Sequence, residues 1–269
     1  MPSMTAYAPG TFCWTDLAAH DTQAAERFYT ALFGWTAEHT RFGPGEDDVY
    51  VMLKKDGQDA AALYRMDPTQ QSQGTPSSWL NYVAVESAAD AAARARELGG
   101  AVLADAFDVM EFGRMALLAD PTGAVLAVWE AGNHIGAGIK DEVGAMCWNE
   151  LGSREPERAA EFYAALFGWT PAPFEESDAA YTLFMHGEAQ AGGMFTLTPQ
   201  MGEMPTAWTP YFAVEDTDEA ARRTTELGGT VLHPPHDLPV GRWSLLRDPQ
   251  GAMFNVIALI PPSSSRGER

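Results

Sequence analysis

Two cysteines in 269 residues leave no disulfide framework, and neither belongs to a CxxC pair. Positive charge is scarce as well: 17 Lys and Arg stand against 37 Asp and Glu, for a formal net charge of −20. A surface that negative repels phosphate backbones and anionic lipid, which argues against nucleic acid and membrane as partners. No apolar run approaches the roughly 18 residues of a membrane span. The opening residues, MPSMTAYAPGTF, carry neither the basic nor the apolar region of a secretory signal, so a cytoplasmic chain is expected. There is no GxGxxG dinucleotide fingerprint. The six histidines (His20, His39, His134, His186, His233 and His236) show no HxxxH spacing. His233 and His236 fall in a Pro-rich stretch and read as two surface loop imidazoles.

What the chain does have is repetition. CWTDLAAHDTQAAERFYTALFGWT runs from Cys13 to Thr36, and CWNELGSREPERAAEFYAALFGWT from Cys147 to Thr170; 12 of the 24 positions are identical. YVML from Tyr50 answers YTLF from Tyr181, and WLNYVAVE from Trp79 answers WTPYFAVE from Trp208. ELGG from Glu97 answers ELGG from Glu226, and the DPTG of Asp120 answers the DPQG of Asp248. The offset drifts only from 134 to 128, so the copies differ by short loop deletions. Two homologous units over 10–132 and 144–262 follow, each expected to have its own core. A Gly-rich connector spans 133–143, and a frayed tail is expected over 263–269. Hydrophobic residues at 46% and aromatics at 11% fit folded units.

Each unit has an inner order. Residues 12–17 predict a strand, and 22–33 an amphipathic helix with Ala25, Phe28, Tyr29 and Leu32 at helical spacing. Pro156 suits the first turn of the helix in the second copy. Ser87 with Asp90, and Asp216 with Glu219, predict capping-box starts for a later helix that stops at Gly99 and Gly228. Two hairpin strands joined by the DPxG turns close each unit. The pattern is β-α-β-β-β followed by β-α-β-β-β, once per half.

That order, with FYxALFGW after the first strand and DPxG before the last, resembles the vicinal oxygen chelate superfamily, the glyoxalase, bleomycin-resistance and dioxygenase group. WNEL at 148–151 and NHIGA at 133–137 resemble a two-domain actinobacterial subgroup of it, labelled glyoxalase or hydroxylase, that includes a mycobacterial culture-filtrate antigen. The resemblance implies an α+β fold of four βαβββ modules in two tandem glyoxalase-like domains, each with a cup-shaped mixed sheet. It also implies metal ligands at set strand positions, occupied here by Trp14, Leu80 and Ala127 in the first half and by Trp148, Thr209 and Asn255 in the second. None of these is His, Glu, Asp or Cys, so a metal-free site with no cofactor is expected. That removes Lewis-acid glyoxalase and dioxygenase chemistry, and the hydroxylase label lacks an oxygen-activating group.

Strand alternation then places Trp14 and Asp16 on one face, with Tyr82 and Trp129, and Trp148 and Glu150 on the corresponding face, with Thr209, Tyr211, Asn255 and Ile257. Aromatic area with a few polar handles suits a small organic ligand. Three readings stay open. The first is a monomer or homodimer that binds a small aromatic molecule for resistance, carriage or sensing. The second is a metal-independent lyase, isomerase, cyclase or ring-opening enzyme with Glu150 or Asp16 as general acid/base. The third is a structural protein whose cups are filled by its own side chains. Trp14 and Trp148 either line or plug the cups; Asp16 and Glu150 either act there or pair with Arg114 and Arg242. Trp35 and Trp169 read as core and His134 as a packing residue. Cys13 and Cys147, opposite in parity to the tryptophans, are expected toward the helices as buried, inert thiols. The more polar second cup is the better candidate for chemistry.

Overall fold

The computed structural model describes residues 3–42, 45, 49–175 and 180–260; the expected tail at 263–269 lies outside them. The first half runs β1 (Phe12–Ala19), α1 (Thr22–Phe33), β2 (Thr36–Arg41), β3 (Val49–Lys55), β4 (Gln58–Arg65), a short α2 (Pro68–Ser72), β5 (Ser78–Ala84), α3 (Ala88–Glu97), β6 (Ala101–Val109), β7 (Gly113–Ala119) and β8 (Val125–Ala131). The second runs β9 (Met146–Ser153), α4 (Pro156–Phe167), β10 (Thr170–Pro173), β11 (Tyr181–His186), β12 (Ala189–Thr196), β13 (Ala207–Ala213), α5 (Thr217–Glu226), β14 (Thr230–Leu238), β15 (Gly241–Arg247) and β16 (Met253–Leu259). The β-α-β-β-β rhythm therefore occurs four times. Each half builds one eight-stranded mixed sheet, in the order β2-β3-β4-β1-β5-β8-β7-β6 and β10-β11-β12-β9-β13-β16-β15-β14. Among the described residues no helix is long and apolar enough to cross a membrane.

Local chemistry sets the element ends. Asp21 accepts the Ala24 N–H at 2.9 Å to start α1, and Gly34 ends it in the left-handed region at φ 69°. Ser87 and Asp216 cap α3 and α5 through the N–H groups of Asp90 and Glu219, as the capping-box pattern predicts. The DPxG aspartates fold their turns by side-chain acceptance: Asp120 Oδ1 takes the Thr122 N–H at 2.7 Å, and Asp248 Oδ1 the Gln250 N–H at 2.8 Å.

The halves do not have separate helix-side cores, as the sequence had suggested. One apolar cluster runs through both, from Phe28, Tyr29 and Phe33 of α1 to Phe162, Tyr163 and Phe167 of α4, Phe212 and Phe254. Phe33 lies 5.0 Å from Phe212 between ring centroids, and Phe12 lies 4.9 Å from Trp208. Trp35 and Trp169 are core residues, as expected, and they also cross between the halves. Trp35 Nε1 donates to the Gly144 carbonyl at 2.6 Å, and Trp169 Nε1 to that of Gly10 at 2.8 Å. Tyr29 Oη donates to Asp248 Oδ2 across the junction at 3.1 Å, while Tyr163 stands against Asp120 in the mirrored place. Thus the most visible repeated motifs, FYxALFGW and DPxG, hold the two halves together. Burying each large side chain there contributes about 1.5–3 kcal/mol.

One face of each sheet covers this shared core, and the other face is left for the cup. In the first half the outer face carries a second cluster of Trp14, Tyr82, Trp129, Ala62, Ala84 and Ala127. A β-bulge at Cys13, between Phe12 and Trp14, resets the alternation there, and β9 has the same irregularity between Met146 and Trp148. Consequently Cys13 packs in the cup cluster with Trp14 and not toward the helices, contrary to simple parity.

Candidate functional site

The first cup is built on neighbouring strands. Trp14 on β1 is paired with Tyr82 on β5; Asp16 lies between Ala62 and Leu80; Ala84 is beside Trp129 of β8. Asp16 is only 3% exposed. Its Oδ2 accepts two phenol hydroxyls, from Tyr82 at 2.9 Å and Tyr50 at 3.0 Å. Trp14 Nε1 donates in turn to the Tyr50 oxygen at 3.1 Å. An indole, two phenols and a carboxyl thus form one hydrogen-bonded floor.

The second cup repeats it. Trp148 on β9 is paired with Tyr211 of β13, Glu150 with Thr209 and with Gly193 of β12, and Tyr211 with Asn255 of β16. Tyr211 Oη donates to Glu150 Oε2 at 2.8 Å, Trp148 Nε1 donates to the Tyr181 oxygen at 3.0 Å, and Tyr181 is the second phenol against the carboxyl. Trp148 and Thr209 are half-buried, whereas Trp14 is buried. In the first cup His134 of the connector lies edge-on to Trp14, with ring centroids 4.8 Å apart. The His134 carbonyl also accepts the Trp129 indole N–H at 2.9 Å. His134 is a packing residue, as expected, and burial lowers its pKa.

Burial pushes the Asp16 carboxyl up to about 7, with Tyr82 and Tyr50 opposing the shift. Burial does the same to Glu150, also to about 7, against Tyr211 and Tyr181. The four phenols are raised well above the usual tyrosine range, chiefly by burial, so they stay protonated and act as donors. Each cup therefore holds a carboxyl able to gain or lose a proton near neutral pH.

The alternative pairing of these carboxyls with arginine does not occur. Arg114 pairs with Asp108 at 2.7 Å, and Arg242 with Asp218 and Asp237 at 2.5 and 2.8 Å. His233 and His236 are exposed but lie on the edge strand β14, not in a loop; an edge tolerates Pro234 and Pro235 because their missing N–H groups need not pair. Burial pushes both thiols up to about 12; Cys13 is buried, as expected, whereas Cys147 is half-buried.

The donor set at the positions implied for a metal does not suit one. An indole N–H has no free lone pair, and those of Trp14 and Trp148 are committed to tyrosines. Ala127 and Leu80 offer no donor, and Asn255 Oδ1 already accepts the Trp243 indole N–H at 2.8 Å. Among the described residues no three His, Cys, Asp or Glu gather closely enough to hold a metal ion.

Sequence reasoning missed Tyr50, Tyr181 and Trp243. The first two were visible as matched positions of the repeat, on strands two places from the tryptophans they contact. Trp243 faces the second cup beside Ile257, with His233 4.6 Å away; its counterpart beside Trp129 is Met115, so the repeat gave no signal.

The family model of a glyoxalase-like domain matches this chain twice, over residues 14–129 and 147–257. CFP32 of Mycobacterium tuberculosis, whose name assigns it provisionally to the glyoxylases, is 39% identical over 263 residues, covering 97% of this chain and 99% of its own. The anthracycline biosynthesis protein DnrV of Streptomyces peucetius is 36% identical over 266 residues, covering 95% and 96%. Among solved structures, the Mn(II)-bound glyoxalase from Novosphingobium aromaticivorans superposes with a TM-score of 0.64 at 14% identity, covering 93% of this chain and 82% of that one. The 2,3-dioxygenase LapB from Pseudomonas sp. KL28 gives 0.64 at 12% identity and covers 98% of both chains. At such identity these two establish the fold alone.

Proposed function

This chain belongs to the glyoxalase-like family of the vicinal oxygen chelate superfamily, and within that family we propose that it binds a small, planar, aromatic organic molecule in its sheet cups without a metal ion. The observation that carries the reading is the matched floor of Trp14, Tyr50, Tyr82 and Asp16 in one cup and Trp148, Tyr181, Tyr211 and Glu150 in the other. The half-buried faces of Trp148, Tyr50 and Tyr181 supply stacking area, and the carboxyl supplies one orienting hydrogen bond. Trp129, Thr209 and Asn255 complete the proposed ligand contacts. The name of DnrV, a relative along its whole length, places that protein in the biosynthesis of a polycyclic aromatic compound and favours the same ligand class here.

A second reading has its own support. Both buried carboxyls sit near 7, where a general acid or base works best, so Glu150 or Asp16 could serve a metal-independent lyase, isomerase, cyclase or ring-opening step. Titrating 1,4-dihydroxyanthraquinone into the protein while following tryptophan fluorescence separates the readings. Saturable quenching lost in Trp148→Ala but kept in Glu150→Gln, with the compound recovered unchanged, supports binding alone. Conversion of the compound that Glu150→Gln or Asp16→Asn abolishes, with binding retained, supports the enzyme. No quenching by this or related planar compounds would contradict both.

A further inference from the structure

The two oxygens of Asp16 are not equivalent. Both phenol hydroxyls, from Tyr82 and Tyr50, end on Oδ2. Oδ1 is buried and has no hydrogen-bond partner. Register places Asp16 in the row Met52–Ala62–Asp16–Leu80, so its carboxyl lies on the cup face of the sheet. The neighbouring wall is apolar and half-buried: Met52, Leu80, Met115 and Leu117. A buried polar atom without a partner is costly, and the Met52, Leu80, Met115 and Leu117 wall offers it no hydrogen-bond donor.

The tyrosines also decide which oxygen carries the proton when the carboxyl is neutral. Oδ2 already accepts two O–H donors, so a proton there would meet two other hydrogens. The proton of the neutral acid therefore sits on Oδ1, the oxygen without a partner, and is available as a donor. A donor in an apolar cup is complemented by a ligand whose single polar function is an acceptor.

We propose that the first cup takes a planar ring ketone or quinone, whose carbonyl oxygen accepts a hydrogen bond from Asp16 Oδ1 while its rings lie against the half-buried wall of Met52, Leu80, Met115 and Leu117. This rests on the reading of the cups as sites for aromatic molecules and adds the ligand's functional group. The groups acting on Asp16 are Tyr50 from β3, Tyr64 from β4 and Tyr82 from β5, all phenols held in the protonated state by burial. His134 packs edge-on against Trp14, with Nδ1 3.9 Å from Asp59 Oδ2. With neutral phenols acting on it, the carboxyl keeps its neutral, donating form below about pH 7.

Fluorene, 9-fluorenone and 9-fluorenol share one ring system and differ in having no oxygen, a carbonyl or a hydroxyl. Their affinities for the full-length protein, by tryptophan quenching from about pH 5.5 to 8.5, test the proposal. Fluorenone should bind about tenfold tighter than fluorene near the acid end, with the advantage vanishing toward the alkaline end as the donor proton is lost. The carbonyl stretch of bound fluorenone should shift to lower frequency at acid pH only. Asp16→Asn presents an amide N–H where the acid proton was, so it should keep the ketone preference and lose its pH dependence. Asp16→Leu should lose the preference, and Glu150→Leu should keep it. A preference for fluorenol that grows with pH would overturn the proposal, showing an ionised acceptor instead. Equal affinity for all three in the wild-type protein would overturn it while leaving the aromatic cups intact. No binding of any of them would sink the ligand class and the cup reading together.

Discussion

Gly193 and Tyr181 occupy one space: a Cβ at position 193 would overlap the Tyr181 hydroxyl and crowd its ring. Gly193 is the strand neighbour of Glu150, so the missing side chain lets the phenol lie across β12 toward the carboxyl. Gly193→Ala should therefore expel Tyr181, break its link to Trp148, and cost about 1–3 kcal/mol in denaturant unfolding. In a Tyr181→Ala background the same substitution should cost far less. An equal cost in both backgrounds would refute the account of this residue.

Asp16 makes a signed prediction for pH. Its folded pKa is raised by burial to about 7 from the ordinary 3.8, so the folded state binds the extra proton between those values. Stability from this group is fully present below about pH 4 and is lost as pH rises through about 7. Asp16→Asn removes the penalty of burying the charge while keeping an oxygen for the tyrosine hydroxyls. The variant should gain about 4 kcal/mol relative to the parent protein at pH 8 and show no such gain near pH 4. A gain that is constant with pH, or that appears only in acid, would contradict the burial argument.

The fold was legible in the sequence because its signals are local: helix caps at Ser87 and Asp216, turns at Asp120 and Asp248, and a repeat that marks each module. The faces of β5 and β8 also followed from alternation, which brought Trp14, Asp16, Tyr82 and Trp129 to one side. What was not legible depends on contacts between distant segments. Nothing near Tyr29 announces that its hydroxyl meets Asp248 in the other half, so the shared core could not be read. The bulge at Cys13 shifts the register against β5, a property of two strands and not of either alone. Tyr50 was matched to Tyr181 but lies two strands from Trp14, and it reaches Asp16 across β4, where the small Ala62 stands opposite the carboxyl.

The junction supplies a third test. Tyr29→Phe removes the donor to Asp248 and should lower stability by about 1–2 kcal/mol, as should Asp248→Asn. Because the two groups share one hydrogen bond across the halves, the double variant should lose less than the sum. Strict additivity would show that the cross-half contact contributes nothing. The continuous core further predicts that the halves unfold together, which tryptophan fluorescence and far-ultraviolet circular dichroism would report as coincident transitions.

The cysteines give a fourth. With both thiols pushed up to about 12, neither should react with Ellman's reagent in the folded protein over minutes at pH 8, and both should react at once in denaturant. Rapid labelling of the native chain would show a site more open than the one described.

The most direct measurement of the central claim is a titration of 1,4-dihydroxyanthraquinone into protein first assayed for metals and then exhaustively treated with chelator. The account predicts less than stoichiometric metal, saturable quenching that survives chelation, and an affinity reduced about tenfold or more by Trp148→Ala, the loss expected when a stacking face is removed. Stoichiometric manganese, iron, nickel or zinc whose removal abolishes binding would contradict it.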